Sequence, residues 1–131
     1  MRIGLTASAF DLLHSGHIAM LQEAKCVCDY LIAALHVDPS LERSAKNRPI
    51  QSVVERYTQL SAVKYVDEII PYETESDLLD LLQLHRVDVR IIGEEYRAKP
   101  FTGKGMKIDV HFNARRHDFS SSNLRHRIKD S

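Results

Sequence analysis

Arg2-Ile3-Gly4-Leu5-Thr6-Ala7 and Tyr30-Leu31-Ile32-Ala33-Ala34-Leu35 enclose a segment, residues 16–28, in which Ile18, Leu21, Ala24 and Cys28 share one helical stripe. Strand, helix and strand follow within one short unit. The second strand is apolar throughout, not alternating, as a strand is when both faces of its sheet are covered. Such a unit belongs to a parallel sheet with helical crossovers.

The alternation continues outward. Ser52-Val53-Val54-Glu55 has the spacing of a capping box and predicts a helix to about Val63. Val66 to Ile70 predicts a strand, and Thr74-Glu75-Ser76-Asp77 caps a helix with Leu78, Leu81, Leu82 and His85 inward. Val87 to Ile92 predicts a strand ending at Gly93, and Ile108 to Phe112 another. Ser120-Ser121-Ser122 leads into a final helix, Asn123 to Lys129. The expected fold is α/β, a doubly wound parallel sheet in a single domain spanning 1–131. Ligands of such sheets bind beyond the carboxyl ends of the strands, so the loops after residues 7, 36, 70, 92 and 112 are the places for a site.

Composition agrees with one soluble domain. The 131 residues are 44% apolar and 27% charged, with 18 Lys and Arg against 18 Asp and Glu. A zero net charge argues against a nucleic-acid partner or a polybasic membrane anchor. No apolar run approaches the ~20 residues of a membrane span, and the amino terminus lacks a secretory signal, so a cytoplasmic protein is expected. Cys26 and Cys28, read as helical, face different ways and form no zinc site alone. Charge is nonetheless uneven. Residues 67–95 carry nine acids and two bases, and residues 97–131 carry nine bases and three acids. The basic third either forms a solvated face or meets an anion such as a polyphosphate.

The loop after the first strand holds the densest chemistry: Thr6-Ala7-Ser8-Ala9-Phe10-Asp11-Leu12-Leu13-His14-Ser15-Gly16-His17. A helix beginning near Ser15 projects both imidazoles from its first turn, beside backbone N–H groups that favour an anion. Gly16 lets a phosphate approach the backbone closely. Each neutral imidazole adds one N–H donor.

Phe10-Asp11-Leu12-Leu13-His14-Ser15-Gly16-His17 resembles the F-D-x-x-H-x-G-H signature of the cytidylyltransferases, within the HxGH nucleotidyltransferase superfamily. The small bacterial glycerol-3-phosphate cytidylyltransferases are most similar. Asp29-Tyr30-Leu31-Ile32, Lys64-Tyr65-Val66-Asp67-Glu68-Ile69-Ile70-Pro71 and Ile92-Gly93-Glu94-Glu95-Tyr96 resemble further family motifs in order. Arg115-Arg116-His117-Asp118-Phe119-Ser120-Ser121-Ser122 stands where the family has R-T-E-G-I-S-T-T. The resemblance implies a Rossmann-like homodimer that transfers CMP from CTP to a small alcohol phosphate and releases pyrophosphate. It implies His14, His17, Lys46 and Arg115 as catalytic phosphate contacts. Ala9, Phe10, Gly16, Gly93, Glu95, Tyr96, Phe119, Ser120, Ser121 and Ser122 are the implied nucleotide-binding residues. Mg²⁺ is expected with the triphosphate, without a dedicated protein cage. Arg48 is a further candidate cation in the loop of Lys46, and Arg56 and Lys64 are candidates for the acceptor pocket or subunit interface.

Two departures bear on function. Ser8-Ala9 replaces the family's Gly-Thr, which predicts less backbone freedom and one phosphate contact fewer. Leu78 stands where the glycerol phosphate enzymes carry an acceptor-binding Lys, within an acidic segment that either is solvated or suits an acceptor with a cationic group. His36, ending the second strand, lies where the acceptor is expected. Two other readings fit the same residues: an adenylyltransferase acting on a sugar phosphate, and a nucleotide-binding module without catalysis.

Overall fold

The computed structural model describes residues 1–114. Five strands form one sheet: β1 (Ile3–Ser8), β2 (Tyr30–His36), β3 (Glu68–Tyr72), β4 (Val89–Gly93) and β5 (Asp109–Asn113). All neighbours are parallel, in the order β3-β2-β1-β4-β5. Three helices alternate with them: α1 (Ser15–Cys26), α2 (Val53–Ser61) and α3 (Glu75–Leu84). The chain winds outward from β1 to β3, then returns to lay β4 on the other side of β1. That reversal is the crevice where doubly wound sheets bind ligands.

Each face of the sheet has its own core. Leu31, Ala33, Val89 and Ile91 pack with Leu21 and Ala24 of α1 and Leu60 of α2. Leu5, Ile32, Ala34 and Tyr72 pack with Leu78 and Leu82 of α3. β1 and β2 lie buried between these layers, which accounts for the uninterrupted apolar run of β2. Both expected capping boxes are present, with Ser52 Oγ accepting from Glu55 N at 3.1 Å and Thr74 Oγ1 accepting from Asp77 N at 3.0 Å.

Element bounds differ from the sequence reading in instructive places. β3 runs through Pro71 to Tyr72, two residues past the expected end. It is an edge strand, and Pro71 sits there without removing a needed ladder donor. Cys28 lies beyond α1, with its thiol directed to the Ala24 carbonyl. The expected final helix and the motif at 115–122 lie outside the described residues.

The acids of 67–95 do not form one charged face. Asp67 accepts Leu31 N–H and pairs with Lys25, Asp88 accepts Ile3 N–H, and Asp77 caps α3. These three acids anchor the framework.

Candidate functional site

A cavity of about 680 Å³ opens along the carboxyl edge of the sheet. It spans both faces. On the α1 side it is lined by Ala9, Phe10, Gly16 and His17, and by Lys46 from the loop following β2. On the α3 side it is lined by His36, Tyr72, Glu75, Leu78 and Arg90. Gly93, Glu95 and Tyr96 close its β4 end. The volume suits small-ligand chemistry.

The turn from β1 into α1 is built under constraint. Phe10 and Leu12 hold positive φ, 50° and 52°. That region costs a non-glycine residue about 1–2 kcal/mol. Neighbouring bonds offset it. Ser8 Oγ accepts Phe10 N–H at 3.2 Å, and the Phe10 ring is buried. Leu12 N–H donates to Gln51 Oε1 at 2.9 Å. The buried Asp11 carboxylate accepts Ile50 N–H at 2.8 Å and Gln51 N–H at 2.9 Å. Asp11 thereby ties the turn to the loop that carries Lys46. Ser8 itself does not adopt positive φ, so its side chain costs no backbone freedom there.

The two histidines form the amino-terminal cap of α1. His14 Nδ1 accepts Gly16 N–H at 2.9 Å, and His17 Nδ1 accepts His14 N–H at 3.2 Å. A ring nitrogen that accepts carries no proton, so each neutral ring holds its proton on Nε2. The rings tilt against each other with centroids 4.2 Å apart. Burial, then the neighbouring His14, pushes the His17 pKa down to about 4, with Asp11 opposing. His17 is therefore a neutral Nε2–H donor near pH 7, lining the cavity beside the free N–H groups of the helix start. His14 is not among the residues lining the cavity. It caps the helix and packs behind His17.

Of the other expected site residues, Ala9, Phe10, Gly16, Lys46, Gly93, Glu95 and Tyr96 all line this cavity. Arg115, Phe119, Ser120, Ser121 and Ser122 lie outside the described residues. Arg48 is exposed and does not line the cavity; Arg43 does. Arg56 is not an acceptor contact but a buried clamp. Its guanidinium donates to the carbonyls of Ala9 (3.0 Å), His36 (2.8 Å), Val37 (2.6 Å) and Gln51 (3.1 Å). It ties the ends of β1 and β2 to α2. Lys64 sits over the Tyr65 ring, away from the cavity.

Sequence reasoning missed the polar side chains of the α3 half. Arg90 is 7% exposed within an otherwise apolar strand. Its presence among Val and Ile was a signal, because a buried charge needs a reason. Arg43 reaches Glu75 at 3.4 Å, and Glu75 Oε2 also accepts from Thr102 Oγ1 at 2.7 Å. Among the described residues, the acids lining the cavity away from the α1 turn are Glu75, Glu95 and Glu23. Glu23 accepts His111 Nε2–H at 2.8 Å and Ala114 N–H at 3.3 Å, which secures the end of β5. Of the acids in the segment 73–78, Glu75 lines the cavity and is engaged by Arg43 and Thr102, whereas Glu73 and Asp77 do not line it. His36 is packed, stacked on Tyr72 at 4.4 Å, with Nε2–H donating to the Glu73 carbonyl. Asn113 Oδ1, at the end of β5, is buried without a hydrogen-bond partner among the described residues.

Comparison with known proteins agrees with this geometry. Residues 5–127 match the family model described as cytidylyltransferase-like. The chain is 35% identical over 109 residues to the bifunctional protein HldE of Caulobacter sp. (strain K31), covering 82% of this chain and 22% of that protein. It is 32% identical over 130 residues to the bifunctional protein HldE of Campylobacter jejuni subsp. jejuni (serotype O:6, strain 81116), covering 98% of this chain and 28% of that protein. The chain thus spans about a quarter of the length of these relatives. Among solved structures, the lipopolysaccharide core biosynthesis protein of Thermoplasma volcanium GSS1 superposes with a TM-score of 0.63 at 24% identity, covering 99% of this chain and 88% of that one. The two share the fold.

Proposed function

The chain belongs to the cytidylyltransferase-like family, and from that premise we propose that it is a nucleotidyltransferase which moves AMP from ATP to a phosphorylated sugar and releases pyrophosphate. The observation that carries the transfer chemistry is the His14–His17 cap, which fixes a neutral Nε2–H of His17 beside the N-terminal amides of α1. The choice of ATP and a sugar rests on the likeness to the HldE relatives. CTP with glycerol 3-phosphate is the second reading, supported by the similarity of residues 10–17 to the cytidylyltransferase signature.

In the reaction, an oxygen of the acceptor phosphate attacks the α-phosphorus of the nucleotide. The new P–O bond forms as the α–β bridging bond breaks, and pyrophosphate leaves with the electron pair. The acceptor oxygen is already ionised near neutral pH, so no general base is required. His17, the α1 amides and Lys46 hold the triphosphate and stabilise charge as it moves to the leaving group. Arg115 and Ser120 to Ser122 complete the phosphate contacts in this proposal. Mg²⁺ accompanies the triphosphate and supplies charge neutralisation when bound. An ion of this kind is held mainly by phosphate oxygens and uses few protein ligands.

The test is pyrophosphate release with Mg²⁺, four nucleoside triphosphates and a panel of acceptors: sugar 1-phosphates, glycerol 3-phosphate, ribitol phosphate, phosphocholine and phosphoethanolamine. Release with ATP and a sugar phosphate, lost in His17→Ala, is expected. Release only with CTP and glycerol 3-phosphate establishes the second reading. Nucleotide binding with no release for any pair rejects the transferase in favour of a binding module.

A further inference from the structure

Arg90 is a buried charge in an otherwise apolar strand. Its strand partners in register are Leu5 and Val110, and it points to the face that packs on α3. Nη1 donates to the Thr102 carbonyl at 2.6 Å, and the guanidinium sits 5.8 Å from the centre of the Phe101 ring. These contacts account for one end of the group. Nε is buried with no hydrogen-bond partner among the described residues, and the side chain lines the cavity. Nε and Nη2 form the side-on edge of a guanidinium, the edge that grips an oxyanion with two parallel bonds.

No carboxylate of the described residues neutralises this charge: Arg90 takes part in no ion pair within 4.0 Å among them. The carboxylate that acts on it is Glu75, whose oxygens accept from Thr102 and pair with Arg43. A buried guanidinium with an unpaired Nε and no counterion among the described residues is costly unless an anion completes it. Arg43, lining the same cavity, adds a second positive charge. Leu78, buried on the same side, leaves α3 without a cation of its own. Arg90 and His17 approach the one cavity from opposite faces of the sheet, so the α1 half is left for the triphosphate.

We propose that the α3 half of the cavity is the acceptor subsite, with Arg90 as its phosphate anchor and Arg43 as its second cation. Tyr72 and Thr102 border the anchor with hydroxyls, groups that can meet the hydroxyl groups of a sugar. The acceptor class is therefore a phosphorylated polyhydroxyl compound, not a zwitterionic amino-alcohol phosphate. This assignment rests on the nucleotidyl-transfer reading of the cavity, yet binding alone tests it.

The experiment follows the Arg90 Nε–H signal by NMR in the full chain, assigned from its loss in Arg90→Lys. Inorganic phosphate is titrated first, then a panel of sugar 1-phosphates beside their unphosphorylated sugars. His17 ring signals report the α1 half in parallel. The Arg90 signal is expected to move with phosphate and with sugar phosphates but not with free sugars. Arg90→Met is expected to weaken binding of the best sugar phosphate about tenfold or more, with nucleotide affinity unchanged. Arg90→Lys, which keeps charge but not the fork, falls between. If Arg90→Met does not fold, Arg43→Gln and the wild-type titrations carry the test. An Arg90 signal unmoved by phosphate, or a folded Arg90→Met that binds as wild type, overturns the anchor. Sugar phosphates binding no better than inorganic phosphate overturn the sugar. Binding of both kinds without turnover leaves the anchor standing and rejects the transferase instead.

Discussion

His17 Nδ1 accepts the backbone N–H of His14 at 3.2 Å. A proton on that nitrogen breaks the cap, and burial already resists it, holding the His17 pKa at about 4 against an ordinary 6.5. Between those values the unfolded chain binds the proton and the folded chain does not. Stability from this group is therefore complete above pH 6.5 and is lost as pH falls toward 4. The loss amounts to roughly 3 kcal/mol. Urea denaturation across this window should show it, and His17→Asn, which keeps an acceptor for the cap, should flatten the slope. An unchanged slope would show that His17 is not the group responsible.

The same cap separates the two histidines by role. His17→Ala removes a donor that faces the cavity, and kcat should fall about 100-fold or more with the substrate pair that the wild type turns over. His14→Ala removes the Gly16 cap, which costs about 1 kcal/mol of stability, and also loosens His17. Its kcat defect should be accompanied by a lower melting temperature, whereas a large kcat loss without any melting change would place His14 directly on the substrate.

Arg56 is framework. Four carbonyls depend on one buried guanidinium. Arg56→Met leaves them without that donor and should destabilise the domain by about 3 kcal/mol or more. Arg56→Lys restores charge but has three donors on a point, so it should recover only part. Thermal melting measures both. Wild-type stability in Arg56→Met would mean that water replaces the clamp at no cost.

Much of this was legible in the sequence. The strand–helix alternation, both capping boxes and the location of the first site were readable because each depends on neighbours in the chain. Side chains whose meaning comes from tertiary contact were not. Arg56 looked like a candidate ligand because nothing local shows that it meets Ala9, His36 and Val37 across the fold. Arg90 went unread, although a charge in an apolar strand was a signal. The expected strand ended at Ile70, and its continuation through Pro71 depends on an edge position, where no N–H is needed, which is a property of the sheet. Acids 67–95 stood only as a block of charge because their backbone partners are distant in sequence, as with Asp88 and Ile3.

Ser8 offers the sharpest test of what a departure from a family pattern means. Read alone, Ser for Gly at this position suggests a tighter backbone and an impaired enzyme. The structure gives the side chain a use instead: its hydroxyl accepts Phe10 N–H at 3.2 Å, at the residue with a φ of 50°. Positive φ falls on Phe10 and Leu12 and not on Ser8, so glycine at 8 would relieve nothing. Ser8→Gly should lower stability by about 1 kcal/mol, from the lost hydrogen bond and the freer unfolded chain. It should not raise kcat, because Ser8 keeps the turn that presents Phe10 and Gly16 to the cavity. Melting curves and steady-state rates on the same preparation decide it: a Ser8→Gly protein that is equally stable and several-fold faster would show that the serine is a handicap and not a brace.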